Sequence, residues 1–261
     1  MYWITIILFI LAVGQGFSIS ILAWLQRKES NTAKLLFSWL ISAFSFTLLH
    51  ELLVWVKLFD RYPVLYFFPI YFTLSFGPLL FFYVKSTLFP TFKLGRSDIK
   101  HFLLPIGQVS YFMFMFFMPA STKTYNWTHD YSVFYGTFAY PLYIFTFTAY
   151  TYFAYRYIRY RQKSFAHIVH LAEDKRQVGR LMFMVLGLYL LLWCNSFFVI
   201  TNFLFDYFLN INLYSYRAFQ FFIDASFGSM VCWVGAYGYY KLVKTRFSSF
   251  WNWIRQREDI L

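Results

Sequence analysis

Seven long apolar segments fill most of this chain, and no remaining stretch is long enough to form a separate soluble domain. Hydrophobic residues make up 60% of the sequence and charged residues only 13%, against roughly 25% charged residues in an ordinary soluble domain. A helix of about 20 apolar residues crosses the hydrocarbon core of a bilayer. The sequence therefore predicts an all-α integral membrane protein, a seven-transmembrane helix bundle with spans near 2–25, 34–57, 63–87, 101–119, 134–156, 181–205 and 216–240.

The basic residues predict the orientation of these spans. Nineteen of the 23 lysines and arginines follow the first, third, fifth or seventh span, and four lie on the opposite side: Lys57, Arg61, Lys123 and Arg217. The positive-inside rule then places the N-terminus outside and the C-terminus in the cytoplasm. We therefore interpret the net charge of +12 as a topology signal, and we expect no direct contact with nucleic acid.

The chain is expected to hold one membrane domain and a short tail. Residues 1–246 form the predicted seven-helix transmembrane domain, and 247–261 form a short interfacial cytoplasmic tail. In that tail Phe250, Trp251, Trp253 and Ile254 alternate with polar and charged residues, which is typical of a helix lying at headgroup level. A partner-binding helix is the alternative.

Ionisable residues within the spans are few, and each is a candidate functional residue because its insertion into a membrane is costly. His50 and Glu51 lie in the second span, and Asp224 lies in the seventh. A rise of 1.5 Å per residue puts Glu51 about 9 Å, and Asp224 about 7–8 Å, outward from the centre of its span. The two carboxylates are therefore expected at the same level.

Further polar residues are predicted near that level. Arg217, Gln220 and Asp224 fall on one face of the seventh span, and Asn195 and Asn202 lie in the outer half of the sixth. Together with the residues of the second span they form a predicted ligand-binding cluster in the outer half of the bundle.

Structural alternatives remain open for each of these residues. Arg217 is also explained as an interfacial anchor, and His50 as a hydrogen-bonding core residue. The two carboxylates are also explained as groups that pair with polar neighbours and hold helices together.

Other chemistries find little support in the sequence. The last span has no central lysine for a retinal Schiff base, since Lys241 lies at its end. No protease, nucleotide-binding or nucleophile motif is present, so we predict neither an enzyme nor a bound cofactor or metal. Cys194 and Cys232 lie within spans and are predicted to be small packing residues, the latter in a row with Gly228 and Ala236.

One segment of about 30 residues resembles a known family. It runs FGPLLFFYVKSTLFPTFKLGRSDIKHFLLP, from Phe76 to Pro105. The matching positions are 76–80, 83–86 and 101–105, with support from 15–16 and 238–240. They are similar to the N-terminal membrane domain found in one group of bacterial AraC-family transcription regulators.

The resemblance implies a sensing role in a bacterial inner membrane. In that family the membrane part is taken to sense a signal, and a cytoplasmic helix-turn-helix domain binds DNA. This chain ends about 20 residues after its last span, whereas a DNA-binding domain needs on the order of 100 residues. We therefore expect this chain not to be the transcription factor itself. Within the motif, Pro78 is expected to kink the third span near its middle.

Three functional hypotheses follow. The first is a receptor-like or sensor-like multi-pass protein that binds a small or lipid-like ligand in its outer half and signals through a cytoplasmic partner. The second is a structural or accessory subunit of a larger bacterial membrane complex. The third is a proton-coupled transporter. The expected partners are the lipid bilayer and a cytoplasmic or membrane protein, and a homo-oligomer is left open.

Overall fold

The computed structural model describes residues 2–26, 32–128, 138–165 and 172–244. Within these ranges the chain is helical and contains no strand, so the all-α prediction is confirmed there. The predicted interfacial tail at 247–261 lies outside the described residues. The α-helices are α1 (Tyr2–Leu25), α2 (Thr32–Trp55), α3 (Leu58–Arg61), α4 (Phe76–Leu88), α5 (Leu103–Phe116), α6 (Ala120–Thr128), α7 (Tyr140–Phe165), α8 (Ala172–Leu209) and α9 (Arg217–Tyr239).

Four helices in the described part of the chain are long and apolar enough to cross a membrane: Trp3–Leu25, Thr32–Trp55, Lys175–Leu209 and Arg217–Leu242. They indicate a membrane protein. The predicted count of seven spans is not confirmed. The other three predicted spans contain α4, α5 and α7, which are not among these four helices. Of these, α7 is 26 residues long but carries basic residues in its last third.

The third and fourth predicted spans are only partly helical. Helices α4 and α5 have 13 and 14 residues, which at 1.5 Å per residue reach only about 20 Å, less than the ~30 Å hydrocarbon core. Pro63 and Pro69 cannot donate backbone hydrogen bonds, and residues 62–75 form an irregular segment with two short 3₁₀ turns. The predicted kink at Pro78 is wrong, because Pro78 lies in the first turn of α4, where a missing N–H breaks no helical bond.

Helix α8 is longer than the predicted sixth span of 181–205. Its 38 residues extend for about 57 Å at 1.5 Å per residue. It ends at Leu209 because Asn210 adopts a left-handed conformation with φ of 51°. The amides of Asn210 and Ile211 then donate to the carbonyls of Asp206 and Phe205 in the last turn.

Six of the helices form a closed ring in the order α1, α2, α4, α7, α8 and α9, and α9 contacts both α1 and α2. Helix α5 lies outside this ring against the 3₁₀ turn Thr73–Ser75. We call the end of the ring at the C-terminus of α2 and the N-terminus of α9 the cavity end. The opposite end, where α9 finishes, is the basic end.

Small residues bring ring helices close together, although not all those expected. Ser20 of α1 accepts or donates hydrogen bonds with Ser38 and Ser42 of α2 at 3.1 and 2.6 Å. In contrast, Cys232 of α9 is exposed, as is Cys194 of α8, so their predicted packing role is wrong. A four-residue repeat drifts by about 40° per step around a helix of 3.6 residues per turn, so the row from Gly228 leaves the buried face.

The close contacts of α9 instead use two glycines on its buried face. A Cβ at Gly238 would lie 2.5 Å from Ile19 Cγ2 of α1 and 2.9 Å from the ring of Phe37 of α2. A Cβ at Gly235 would lie 2.9 Å from the amide nitrogen of Gln15 in α1. These glycines let α9 pack directly against its neighbours.

An aromatic cap covers the cavity end beside α5. It is built from α3, residues 62–75, α5 and α6, with Phe59, Phe67, Phe112 and Trp127 in mutual contact. Lys123 of α6 is buried beneath it. Its ammonium group donates to the carbonyls of Val64 at 2.8 Å and Phe116 at 3.1 Å and so ties the cap together.

Candidate functional site

A polar cavity of about 200 Å³ lies at the cavity end, inside the ring. Each helix contributes residues at helical spacing, which places them on one face. The lining residues are Thr47, Glu51 and Val54 of α2; Tyr71 and Thr73 of the irregular segment; Tyr140 and Tyr143 of α7; Asn195 and Val199 of α8; and Gln220, Ile223, Asp224 and Phe227 of α9.

Two carboxylates line this cavity from facing helices. Glu51 lies four residues before the end of α2, and Asp224 lies seven residues after the start of α9. At 1.5 Å per residue they are about 6 and 10 Å from those helix ends. Asp224 is only 8% exposed and accepts a hydrogen bond from the indole N–H of Trp55 in α2. Glu51 and Asp224 therefore line one cavity.

Asn195 joins α8 to α9 beside the carboxylates. Its amide nitrogen donates to the hydroxyl of Ser226 at 2.9 Å and to the carbonyl of Ile223 at 3.3 Å. The side chain is 4% exposed. Asn195 consequently positions the buried face of α9 while also contributing to the cavity wall. Gln220, one turn before Asp224, lines the same wall and is half-buried.

Neutral residues that sequence reasoning missed hold the irregular segment in place. The hydroxyl of Thr47 accepts from the amide of Phe72 at 3.0 Å. Gln108 of α5 accepts from the amide of Leu74 at 3.1 Å and donates to the hydroxyl of Thr73 at 3.0 Å. Because residues 62–75 are not helical, their backbone groups need such partners. These bonds fix Tyr71 and Thr73 in the cavity wall.

Tyr143 is a further residue that sequence reasoning missed. It lies on α7, is 3% exposed and lines the cavity. Its hydroxyl has no hydrogen-bond partner among the described residues. A buried polar group in this state is destabilising by about 1–3 kcal/mol, which a hydrogen-bonding ligand would offset.

Three predicted site residues lie outside the cavity. Arg217 is exposed as the first residue of α9, and Asn202 is half-buried on α8, beyond the cavity wall. His50 is 1% exposed and packs against Phe59 and Tyr71 of the cap, with ring centroids 5.2 and 4.9 Å away.

The environment of His50 differs from that of its neighbour Glu51. Neither ring nitrogen of His50 has a hydrogen-bond partner among the described residues. Its Nδ1 lies 3.8 Å from Glu51 Oε1, which is too long for a hydrogen bond. Successive helical residues point about 100° apart, so Glu51 faces the cavity while His50 faces the cap.

Four phenylalanines close the cavity toward the basic end. Phe44, Phe76, Phe147 and Phe227 come from α2, α4, α7 and α9, and we call them the phenylalanine floor. The rings of Phe44 and Phe76 are stacked with centroids 4.0 Å apart, and Phe227 lies 6.0 Å from Phe76. All four are buried. The floor forms an apolar layer between the polar cavity and the basic end.

Below the floor, α9 makes polar contacts again near the basic end. The ammonium group of Lys241 donates to the hydroxyl of Tyr83 at 3.0 Å, and that hydroxyl lies 3.1 Å from the hydroxyl of Tyr237. Tyr83 belongs to α4, and the other two residues belong to α9 and its π-helical continuation Tyr240–Lys244. This network links α9 to α4.

Two of the larger cavities in the described part of the chain have a different character. One of about 570 Å³ lies between α7 and α8, and one of about 520 Å³ lies between α2, α4 and α5. Their walls are mainly apolar, with residues such as Phe145, Trp193, Trp39 and Ile106. Such grooves suit lipid tails, but they offer few polar groups to orient a ligand.

A scan against known protein families, a search of curated proteins and a search of solved structures found no match for this chain. The interpretation of the polar cavity therefore rests on its own residues.

Proposed function

We propose that this protein is a receptor-like membrane protein that binds a small ligand in the polar cavity and passes the binding event along α9 to a cytoplasmic partner. One observation carries the proposal. Two carboxylates, from α2 and α9, line one small cavity deep within the ring. Ionisable groups at membrane depth are costly, and their convergence on a cavity is typical of a binding site.

The proposal includes the seven-span topology, with the cavity end outside and the C-terminus in the cytoplasm of a bacterial inner membrane. The distribution of 19 of 23 basic residues supports it. The irregular segment is compatible with membrane depth because Phe67, Tyr71 and Leu74 are buried in protein. In a cysteine-free background, Lys57→Cys should react with an impermeant maleimide in intact cells, whereas Lys93→Cys should react only after permeabilisation. The reverse pattern would refute this orientation.

The phenylalanine floor favours a receptor over a transporter. A proton-coupled transporter needs a polar route from the carboxylates to the other side, and four buried rings occupy the space below Asp224 in this structure. Proton flux into liposomes separates the two functions. Flux that requires Glu51 would support transport and contradict the receptor proposal.

The resemblance to membrane domains of transcription regulators motivates the choice of output. We propose that the cytoplasmic partner acts on gene expression. In the source organism, deletion of the gene should change the levels of a set of transcripts, and expression of the wild-type gene should restore those levels. Asp224→Asn at an equal membrane level should not restore them, because it removes one of the two carboxyl groups that line the cavity.

Asp206→Asn is the matched control for that experiment. Asp206 lies on α8 near its exposed end and does not line the cavity. This variant removes the same charge and should restore the transcripts. Full restoration of the transcript levels by Asp224→Asn would contradict a role of the cavity in signalling.

A further inference from the structure

We infer that the polar cavity takes a small organic ammonium ion, held between Glu51 and Asp224 and against the aromatic walls. This inference rests on the proposed binding function and names the chemical class of its ligand. Charge, hydrogen-bonding capacity and wall chemistry each support it separately.

The cavity wall carries two carboxyl groups and no basic side chain among the described residues. The carboxyl groups belong to Glu51 and Asp224. Two ionised carboxylates in one small cavity repel each other more strongly than in water, because the effective dielectric constant is lower. A ligand with one positive charge relieves that repulsion and interacts with both groups.

Two hydrogen-bond donors of the wall, Thr47 and Asn195, are committed to protein acceptors. Thr47 donates to the carbonyl of Ala43 at 2.9 Å. Asn195 directs its amide nitrogen to α9, to Ser226 and Ile223. The two carboxylates accept hydrogen bonds and match the N–H groups of an ammonium ion, whereas their negative charge would repel an anion.

Tyr143 gives an independent indication that the cavity binds a polar ligand. Tyr143 lines the cavity and is almost fully buried, and its hydroxyl has no hydrogen-bond partner among the described residues. Native proteins seldom leave a buried polar group in this state. A hydroxyl can accept from an ammonium N–H, so the ligand would satisfy it.

The size and the walls favour an organic ion over a metal ion. A volume of 200 Å³ equals about seven water molecules at ~30 Å³ each, which is far more than a bare ion needs. Tyr71, Tyr140 and Phe227 contribute aromatic rings to the wall. Such rings attract organic cations through their faces. A Ca²⁺ ion would need 6–8 oxygen ligands, which a wall with this aromatic content supplies less readily.

The test is calorimetric titration of the full chain in lipid nanodiscs, with the signal of empty nanodiscs subtracted. The probes are butylammonium chloride, butan-1-ol, sodium butyrate and calcium chloride at constant ionic strength. Butylammonium should bind, and the neutral, anionic and metal probes should not. Glu51→Gln and Asp224→Asn should each weaken butylammonium binding by about tenfold to a hundredfold, the range expected for hydrogen bonds to charged groups.

Two variants keep the test independent of folding defects. Tyr143→Phe removes a single unpartnered oxygen and should weaken butylammonium binding by about two- to tenfold without lowering the unfolding temperature. Asp206→Asn should bind as wild type does.

The alternative outcomes are distinguishable. Equal binding of butan-1-ol or butyrate would overturn the ammonium class while leaving a ligand-binding cavity. Binding of Ca²⁺ alone would overturn the organic class. Absence of butylammonium binding would overturn the inference, and the transcript experiment with Asp224→Asn would still decide the proposed function separately.

Discussion

Gly238→Ala tests whether the close packing of α9 holds the ring together. The added Cβ would lie 2.5 Å from Ile19 Cγ2 and 2.9 Å from two carbons of the Phe37 ring. Favourable carbon–carbon contacts are about 3.5–4.0 Å, so α9 or its neighbours must move by about 1 Å. Overpacking costs about 1–3 kcal/mol, and the greater helix propensity of alanine returns about 0.5–1 kcal/mol. We expect a net destabilisation of about 1–2 kcal/mol.

The matched control is Gly14→Ala on α1. No atom lies within 4 Å of a Cβ placed at Gly14, which is exposed on the outside of the ring. This substitution should be neutral or stabilising by up to about 1 kcal/mol. Equilibrium unfolding of both variants in mixed micelles, followed by circular dichroism, measures the difference. If Gly238→Ala proves as stable as Gly14→Ala, the packing of α9 against α1 and α2 described here is incorrect.

Three further predictions concern the cap and its supports. His50→Phe should raise the free energy of unfolding by about 1 kcal/mol, because the histidine is buried and makes no hydrogen bond to the described residues; a clear loss of stability would reveal a polar role. Gln108→Leu leaves the amide of Leu74 without its partner and should destabilise the fold by about 1–3 kcal/mol, with faster proteolysis within 62–75 as the readout. Lys123→Met removes the hydrogen bonds that the charged ammonium group donates to cap carbonyls such as that of Val64. It should lower the free energy of unfolding by at most about 1.5–3 kcal/mol per bond, and an unchanged free energy of unfolding would contradict this prediction.

The two carboxylates could be predicted from the sequence because they lie on long, uninterrupted helices. A constant rise of 1.5 Å per residue makes depth countable along α2 and α9. Rare ionisable residues in apolar segments are also easy to recognise. The same reasoning placed Gln220 and Asn195 near them, and both line the cavity.

The remaining wall residues gave no comparable signal. Tyr143 is one of 23 tyrosines, and nothing in its neighbourhood marks it as buried without a hydrogen-bond partner. Thr47 and Gln108 acquire their roles only because residues 62–75 leave the helical conformation and expose backbone groups that need partners. Prolines in that segment predict an interruption, but not which side chains would satisfy it.

His50 shows the limit of arguments from depth alone. It occupies the same level as Glu51, yet it points to the cap because adjacent helical residues diverge by about 100°. The choice of which residue faces the interior depends on the neighbours of α2. Those neighbours include the irregular segment and Phe112 of α5, whose positions the apolar pattern did not reveal.

Helix α9 is the element best placed to connect the two ends of the ring. Asp224 lines the cavity, Phe227 belongs to the phenylalanine floor, and Tyr237 joins the hydroxyl network near the basic end. Because its backbone hydrogen bonds resist local stretching, a continuous helix such as α9 transmits a displacement at Asp224 as a shift of the entire helix. The contact with α4 through Tyr83 and Lys241 consists of two hydrogen bonds and one cation–π contact, whereas the floor is a packed layer of rings, which resists rearrangement. A ligand that draws α2 and α9 together at the cavity would therefore be expected to alter the α4–α9 contact first at the basic end.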